Sequence, residues 1–255
     1  MSSGGPLRYT AQEGNLRHDE TGKQMKRATS IAFLIGLLAA LPAKAENFVL
    51  DLSWEPSFCA TSAGQPKTEC AAGLSGSYAE RHLVLHGLFQ QNSPSICKPS
   101  YSKDPPVSCD NYSHPISAAD IAALQLPAYM PGVASCLDGH EWSKHGAFMN
   151  LPAKDFFAKL VDLLKQANAG KLGKLLTQKA GAQVTAQEVS AAIAADFGPD
   201  AIQHGIRLRT NPQGQLTDIM IYLTGDSAAA LSVDQSHILN ECSAKELPGS
   251  IALPR

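Results

Sequence analysis

Short segments of alternating or continuous hydrophobic residues divide the chain into predicted strands. Residues 48–54 alternate between apolar and polar side chains, which is typical of a strand with one buried face. Residues 82–89 form a mainly apolar run, and this pattern indicates a second, largely buried strand. Residues 206–209 and 216–223 flank the turn sequence NPQG, and together they predict a β-hairpin late in the chain.

Hydrophobic residues in the middle of the chain recur every three or four positions, as on one face of a helix. We predict helices over residues 117–124, 152–166, 172–178 and 185–196. Capping boxes at Ser117 and Thr185 mark the start of two of these helices, and Pro152 suits the first turn of another. Because strands come early and late and helices come between them, the sequence predicts an α+β single domain with a central, mainly antiparallel sheet flanked by helices.

The N-terminal part of the chain has the organisation of an export signal. Basic residues precede an apolar run over residues 31–41, and the small-residue sequence AKA follows and ends at Ala45. We therefore predict a secretory signal peptide over residues 25–45 and a periplasmic or secreted mature protein. The apolar run is shorter than the roughly 20 residues that span a bilayer, so no membrane contact beyond targeting is expected. Residues 1–24 are interpreted as an over-extended start without structure, because Met25 would itself be a normal start for such a signal.

The mature chain is acidic. Residues 1–45 hold six of the 21 basic and three of the 23 acidic residues, so their removal leaves 15 and 20 and a net charge of −5 with histidine neutral. This sign excludes a protein that coats nucleic acid through its overall charge. It allows an enzyme whose positive charge is confined to a small site, aided by histidine protonation below neutral pH.

All six cysteines lie in the mature part of the chain, at Cys59, Cys70, Cys97, Cys109, Cys136 and Cys242. An even number of cysteines in an exported chain favours disulfides, and six cysteines allow 15 sets of pairings. Cys59 and Cys70 enclose a short polar loop and are the pair that the sequence supports first. Zinc would be the competing use, but no C-x₂-C pair or matching histidine spacing is present. We therefore predict a disulfide-stabilised domain and leave the other four cysteines unassigned.

The richest cluster of reactive side chains lies in the sequence HEWSKHG, residues 140–146. If this segment forms about one and a half helical turns, at about 100° per residue, its ionisable side chains fall within an arc of roughly 140°. They are, in angular order, His140, Lys144, Glu141 and His145. The alternative is a solvated helix face with a Glu–Lys pair worth a few tenths of a kcal/mol. We rank that second, because a solvated face rarely needs two histidines and a tryptophan.

A further histidine, His86, lies on the second predicted strand directly before Gly87. A glycine within a strand lets another backbone or a ligand approach closely. His82 has the same parity along this strand, so both histidines are expected to face one way. A single histidine on a buried strand is more often a core residue than a functional one. We assign a core or rim position to His82 and the functional position to His86.

Two histidines with a glutamate and a lysine suit proton transfer at a phosphodiester without a metal. A base and an acid that titrate near neutral pH support in-line attack at phosphorus by an internal hydroxyl group, and RNA supplies that group as its 2′-OH. Zinc-dependent hydrolysis is the main rival, but the H-E-x-x-H motif needs histidines four apart. Here they are five apart, with Lys144 between them to repel a cation. No G-x-S-x-G sequence is present, which argues against an ordinary serine esterase.

Three segments resemble segments of the T2 family of secreted ribonucleases. Residues 140–146 match the family's His-Glu-Trp-x-Lys-His-Gly, and the LHGLF sequence of residues 85–89 resembles its His-Gly-Leu-Trp-Pro. Residues 51–59 (DLSWEPSFC) look like the opening strand of the bacterial periplasmic members. The resemblance covers essentially all of the mature chain, so residues 46–255 are predicted to form a ribonuclease T2-like catalytic domain.

The resemblance, carried over by matching position, implies a set of roles. His145 would be the general base and His86 the general acid. Glu141 and Lys144 would support the pentavalent phosphorus, and His140 would anchor the phosphate. The family implies cleavage of single-stranded RNA through a 2′,3′-cyclic phosphate, with low base specificity. It also implies that the reaction needs no metal. We expect a monomer without a cofactor.

Four positions depart from the family's usual sequence. Phe89 replaces the usual tryptophan and Gln90 the usual proline. A phenylalanine still stacks a base, at about 1–3 kcal/mol per stacked base, so Phe89 stays a substrate-binding candidate. Phe148 and Tyr222 stand where many members carry disulfide cysteines, so the bridges must be partly rearranged. The alternative function is a catalytically silent RNA-binding homologue on the same scaffold, and a general phosphodiesterase, which would also cut DNA, is a third hypothesis.

Overall fold

A four-stranded antiparallel sheet forms the centre of the fold. The computed structural model describes residues 45–91, 105–239, 242 and 247–255. The predicted signal peptide, apart from Ala45, and the residues before it lie outside these ranges. The strands are β1 (Glu46–Ser53), β2 (Val84–Gln90), β3 (Gln183–Thr185), β4 (Ile206–Thr210), β5 (Leu216–Gly225) and β6 (Ser250–Ala252). The central sheet has the order β2-β1-β5-β4 with every neighbouring pair antiparallel, and β3 pairs separately with β6.

Most of the helices lie between β2 and β4 in the chain. They are α1 (Glu55–Cys59), α2 (Thr68–Ala71), α3 (Ala118–Ala123), α4 (Leu126–Tyr129), α5 (Leu137–Lys144), α6 (Ala153–Ala169), α7 (Lys171–Lys179), α8 (Ala186–Phe197) and α9 (Ala201–His204). Most buried hydrophobic residues form one core cluster. The prediction of an α+β single domain with a mainly antiparallel sheet is therefore confirmed. Within the described ranges, no helix combines the length and the apolar character that crossing a membrane requires.

Sequence patterns located the longer helices to within a few residues. The hydroxyl of Ser117 caps α3, and both hydrogen bonds of the capping box at Thr185 are present at the start of α8. Pro152 is the N-cap of α6 and not a first-turn residue, so this helix begins one residue later than predicted. The short helices α1, α2, α4 and α9 were not predicted, because a helix of four or five residues contains little more than one period of hydrophobicity.

The two faces of β1 pack into different layers. Phe48, Leu50 and Leu52 lie fully buried in the main core, to which α6 contributes. The residues between them point to the opposite face, since side chains alternate along a strand. Val49 belongs to a second hydrophobic cluster on that face, and Asp51 is buried there. The sheet therefore separates the main core from a face that also carries polar side chains.

Both early strands have boundaries that differ from the predictions. β1 ends at Ser53, because Trp54 is the N-cap of α1 and not a strand residue. The Trp54 indole N–H donates a hydrogen bond to the carbonyl oxygen of Pro254 at 2.9 Å, so its one polar group is satisfied although the side chain is fully buried. β2 begins at Val84, two residues later than predicted.

Disulfides tie the loops around the site to the fold. The predicted pair Cys59–Cys70 is present and joins α1 to α2. A second bridge, Cys109–Cys136, fixes the residue directly before α5, the helix that carries most of the HEWSKHG segment. Cys242 is also disulfide-bonded, and Cys97 lies outside the described residues. The predicted disulfide-stabilised domain is confirmed.

Candidate active site

The pairing of β1 with β2 is irregular at His86. Asp51 pairs with Gly87 and Leu52 pairs with Leu85, so no β1 residue lies opposite His86. A β-bulge of this kind bends the strand and redirects a side chain. It also lets Leu85 and Leu88, three residues apart, both enter the main core. The His86 side chain keeps 41% of its surface exposed.

His82 does not share this position. It precedes β2, so the expectation that it lies on the same strand and faces the same way as His86 was wrong. Its ring stacks on Tyr78 with 4.2 Å between ring centroids, and its Nδ1 lies 2.9 Å from the carbonyl oxygen of Tyr78. His82 is therefore a half-buried residue at the rim, outside the site.

Helix α5 carries most of the HEWSKHG segment but ends before its second histidine. The residue after Lys144 is His145, whose φ of −131° and ψ of −60° are not helical. Gly146 then packs so tightly that a Cβ would lie 2.6 Å from the Trp142 ring and 2.9 Å from the Phe156 ring. His140, Glu141 and Lys144 therefore lie on one helix, as predicted. The prediction was wrong for His145, which follows the helix and precedes the tightly packed Gly146.

Glu141 lies at the centre of the site. It is 1% exposed, and its Oε1 lies 3.7 Å from Nε2 of His86 and 3.9 Å from Nε2 of His140. Gly87 makes this approach possible, because a Cβ there would lie 1.9 Å from the Glu141 Oε2. The glycine was expected to admit a backbone or a ligand, and instead it admits the Glu141 side chain.

Burial changes the protonation of Glu141. Desolvation raises its pKa from 4.5 to about 8, against a lowering by His86, and Asp51 adds to the increase. Its Oε2 is buried and has no hydrogen-bond partner. At neutral pH the carboxyl group is therefore mostly protonated, and it is able to donate a hydrogen bond to an anionic oxygen.

The variant Glu141→Gln is expected to stabilise the fold most at alkaline pH. The folded state binds the Glu141 proton more tightly than the unfolded state, so between about pH 4.5 and pH 8 the wild type loses stability as the pH rises. Glutamine is neutral throughout, so the gain in unfolding free energy should grow from near zero below this window to a few kcal/mol above it, at about 1.4 kcal/mol per pKa unit. Urea unfolding at both ends of the window measures this difference. Glu46→Gln at the start of β1 is the control, and an equal gain at both pH values would contradict the raised pKa.

The ring of Phe89 contacts both histidines that were predicted to exchange protons. Its centroid lies 4.5 Å from that of His145 and 6.2 Å from that of His86. The two imidazole centres are therefore no further apart than the sum of these distances. Phe89 is half-buried near the end of β2, so the strand that carries His86 also reaches His145.

A cavity of about 300 Å³ lies on the His145 side of the site. Its lining residues are Gln90, Lys144, His145 and Phe148. Phe148 is 69% exposed, and every other large hydrophobic side chain among the described residues is at least partly buried. From the sequence, Phe148 was noted only because it stands where many family members carry a disulfide cysteine. No signal in the sequence indicated that the ring would lie beside Lys144.

A larger cavity, of about 420 Å³, lies on the His86 side of the site. Its ionisable lining residues are Glu55, Lys67, Glu69, His86 and His140, and most of the rest are apolar. The pKa of Glu55 is raised to about 7, because burial and the nearby Glu69 raise it more than His86 lowers it. The ring of His140 also meets the edge of the Tyr112 ring at 4.9 Å. Space for a bound group is therefore available next to His86.

Two carboxylates beside His86 were not predicted. Asp51 is 2% exposed and Asp218 is 9% exposed, and both lie with His86 in a cluster whose ligand-type atoms are all within 4.8 Å of one another. The guanidinium group of Arg209 lies 3.1 Å from Oδ2 of Asp218. These residues are far apart in the chain and meet only through the strand order. An acidic residue between the apolar residues Leu50 and Leu52 of β1 was the one available signal.

Among the residues that the structure describes, three clusters have the residue types of a metal site. They are Glu55, Cys59 and Cys70; Cys109, His114 and Cys136; and Asp51, His86 and Asp218. The cysteines of the first two clusters are in disulfides and offer no thiolate. In the third, a cation would face the Arg209 guanidinium that pairs with Asp218. We assign none of them as a metal centre, and metal independence stays a prediction.

Comparisons with known proteins agree with the fold. Residues 45–239 match the model of the ribonuclease T2 family. The class of protein is therefore an RNA-cleaving endoribonuclease with an α+β fold. The chain belongs to the ribonuclease T2 family, as its sequence motifs predicted. Ribonuclease I of Escherichia coli (strain K12) is 24% identical over 209 residues, which cover 72% of this chain and 77% of that protein.

A solved ribonuclease structure is similar in fold, and a second one matches with a lower score. RNase NT in complex with 5′-AMP has a TM-score of 0.50 at 18% identity and covers 82% of this chain and 98% of its own. Ribonuclease MC1 from the seeds of bitter gourd has a TM-score of 0.47 at 21% identity, over 81% of this chain and 99% of its own. At these identities the likeness concerns the fold, so the roles of individual residues depend on the geometry described above.

Proposed function

We propose that this protein is an exported, metal-independent endoribonuclease that cleaves single-stranded RNA through a 2′,3′-cyclic phosphate. The observation that carries this proposal is the contact of both His86 and His145 with the one ring of Phe89, beside the buried Glu141. Two imidazoles at one cleft supply the base and the acid that attack by a 2′-OH requires.

His145 is the general base and His86 the general acid of this proposal. Neutral His145 removes the proton of the 2′-OH, and the 2′ oxygen attacks phosphorus while the bond to the 5′ oxygen breaks. Protonated His86 gives its proton to that 5′ oxygen, which leaves as an alcohol. Burial acts to lower the pKa of His86, but nearby acidic groups, above all Asp51 and also Glu141 when it is ionised, raise it above its usual value overall. A raised pKa keeps His86 protonated and therefore suits the acid.

The neighbouring polar groups stabilise the negative charge that forms on the phosphorane oxygens. The protonated Glu141 donates a hydrogen bond to one of these oxygens, whereas an ionised carboxylate would repel it. Lys144 supplies a positive charge on the His145 side, where both line the same cavity. His140, with its Nε2 3.9 Å from Glu141, anchors the phosphate. These groups are positioned before the substrate arrives, so little reorganisation is needed during the reaction.

Substrate binding uses an aromatic ring and two adjacent cavities. Phe89 stacks a base, and stacking tolerates all four bases, which supports low base specificity. The cavities on the His145 and His86 sides leave room for the nucleosides on either side of the cleaved bond. DNA lacks the attacking 2′ hydroxyl group, so the proposed reaction is specific for RNA.

The proposed location is the periplasm or the cell exterior. The predicted signal peptide of residues 25–45 would leave Glu46 as the first residue of the mature domain, and β1 begins at that residue. The disulfides favour an oxidising compartment. We propose that residues 46–255 act as a monomer.

The proposed function predicts products that mass spectrometry identifies. A short RNA digested by the purified mature protein with EDTA should yield fragments ending in a 2′,3′-cyclic phosphate and fragments beginning with a 5′-OH. A DNA strand of the same sequence should remain intact. Binding of RNA without cleavage would favour the silent RNA-binding homologue instead, and cleavage of DNA or dependence on added metal would overturn the mechanism.

A further inference from the structure

Two buried carboxylates lie on the site face of the sheet, next to the general acid of the proposed reaction. Asp51 lies on β1 directly opposite Gly87, and Asp218 lies on β5 opposite Ser53. The bulge at His86 places its imidazole beside both, with all three ligand-type atoms within 4.8 Å of one another. Strand order and register, and not a local motif, therefore create an acidic environment for this histidine.

The carboxylate of Asp51 is poorly compensated except by His86. It is 2% exposed, and its Oδ1 is buried without a hydrogen-bond partner. Burying a charge is costly unless an opposite charge lies close by. Protonated His86 is such a charge. Arg209 belongs to the same group but has its own partner, because its Nη2 and Nε lie 3.1 Å and 3.2 Å from Oδ2 of Asp218.

Ionisable groups approach His86 from every neighbouring element. They are Asp51 on β1, Glu55 on α1, Arg209 on β4, Asp218 on β5, and His140 and Glu141 on α5. Lys67 and Glu69, at α2, line the same cavity as His86. Tyr222 is buried near Asp51, and burial raises the pKa of its phenol, so it stays neutral in the range considered.

We propose that Asp51, supported by Asp218, is a positioning residue for His86: the two carboxylates hold the imidazole in its protonated form and in the orientation from which it donates its proton. This inference rests on the proposed role of His86 as general acid. The role of Asp51 differs from that of Glu141. Glu141 contacts the imidazole from α5 and would face the phosphate.

The three carboxyl groups act in different pH ranges. Burial raises the pKa of Asp51 to about 6, so its charge is present above about pH 6, whereas Glu141 stays mostly protonated up to about pH 8. Between these values the negative charge next to His86 comes mainly from Asp51 and the ion-paired Asp218. Below about pH 6, Asp51 is neutral and resembles asparagine. The effect of Asp51 on His86 is therefore expected only above that pH.

The variant Asp51→Asn tests this role through the pH profile. The kcat/KM of the wild type should be bell-shaped, with an alkaline limb that reports deprotonation of the two groups that act in their protonated form, His86 and Glu141. Loss of the Asp51 charge lowers the pKa of His86, so the limb should move to lower pH, with a loss of about tenfold or more near pH 8 and little loss near pH 5.5. Glu46→Gln, which removes one charge from the same strand about 16 Å away, should leave the profile unchanged.

A second variant is expected to shift the alkaline limb of the pH profile in the opposite direction. Arg209→Gln removes a positive charge that lowers the pKa of His86, so the alkaline limb should move to higher pH. Opposite shifts in the two variants support the proposal, since loss of structure would lower activity in both at every pH. A uniform loss in Asp51→Asn, or an unchanged limb in both variants, would overturn it. If Asp51→Asn does not fold, as judged by thermal unfolding, the direction of the Arg209→Gln shift decides.

Nuclear magnetic resonance separates this inference from the proposed function. The titration of the His86 imidazole in the substrate-free protein should have a lower midpoint in Asp51→Asn than in the wild type. This measurement needs no catalysis. Absence of RNA cleavage with the shifted midpoint would reject the proposed function but leave the Asp51–His86 coupling intact, whereas cleavage with an unchanged midpoint would reject the coupling alone.

Discussion

The variants His145→Ala and His86→Ala are each expected to lower kcat on RNA by about 10²- to 10⁴-fold, the range typical of a lost general base or acid. Neither side chain lies in the main hydrophobic core, so the fold should persist. His82→Ala is the matched control, because this histidine is half-buried on the rim and stacks on Tyr78 away from the site. It should keep near wild-type activity. Steady-state kinetics together with thermal unfolding measure both effects.

A substrate with an activated leaving group separates the roles of the two histidines. A nucleoside 3′-(4-nitrophenyl) phosphate releases a leaving group that needs no proton, so general acid catalysis adds little. His86→Ala should therefore recover most of its activity on this substrate, whereas His145→Ala should remain impaired because the 2′-OH still has to lose its proton. Recovery in His145→Ala alone would reverse the two assignments. Near-normal activity on RNA in either variant would remove that histidine from the mechanism.

The variant Gly87→Ala is expected to have the second-largest effect, although Gly87 has no chemistry of its own. An added methyl group would lie 1.9 Å from Oε2 and 2.6 Å from the carboxyl carbon of Glu141, closer than any real contact. Glu141 is buried, so its carboxyl group or α5 itself must move. A displacement of about 1 Å at a reacting centre lowers a rate by about 10²-fold, and we expect at least this loss in kcat.

The control for this variant is Gly249→Ala, since nothing lies within 4 Å of a Cβ at that glycine. It should leave the activity unchanged. The loss of kcat in Gly87→Ala, expressed as a free energy of activation, should exceed the loss of unfolding free energy measured with urea, because the clash is at the site. A Gly87→Ala variant with full activity would show that the position of Glu141 does not matter for the reaction.

Local patterns were sufficient to locate β1 and β2, which flank the site, and the more distant helix α8. The apolar runs located β1 and β2, and the capping box at Thr185 located α8, because hydrophobic periodicity and caps are properties of neighbouring residues. The side chains of the HEWSKHG segment were identified by their chemistry and by their resemblance to a family. The prediction from sequence was wrong where a tertiary contact determines the backbone. At His145 the helix has ended, and Gly146 packs tightly against neighbouring aromatic rings.

The sequence alone determined which residues could do the chemistry, the α+β class and the Cys59–Cys70 bridge, since each depends on residue type and short spacing. Only the tertiary structure decided how those residues meet. It placed Glu141 against Gly87, brought Asp51 and Asp218 beside His86, and left Phe148 exposed next to Lys144. Strand order, register and a single bulge produce these contacts between residues far apart in the chain. The burial that they impose, and not residue type, sets the protonation on which the proposed reaction depends.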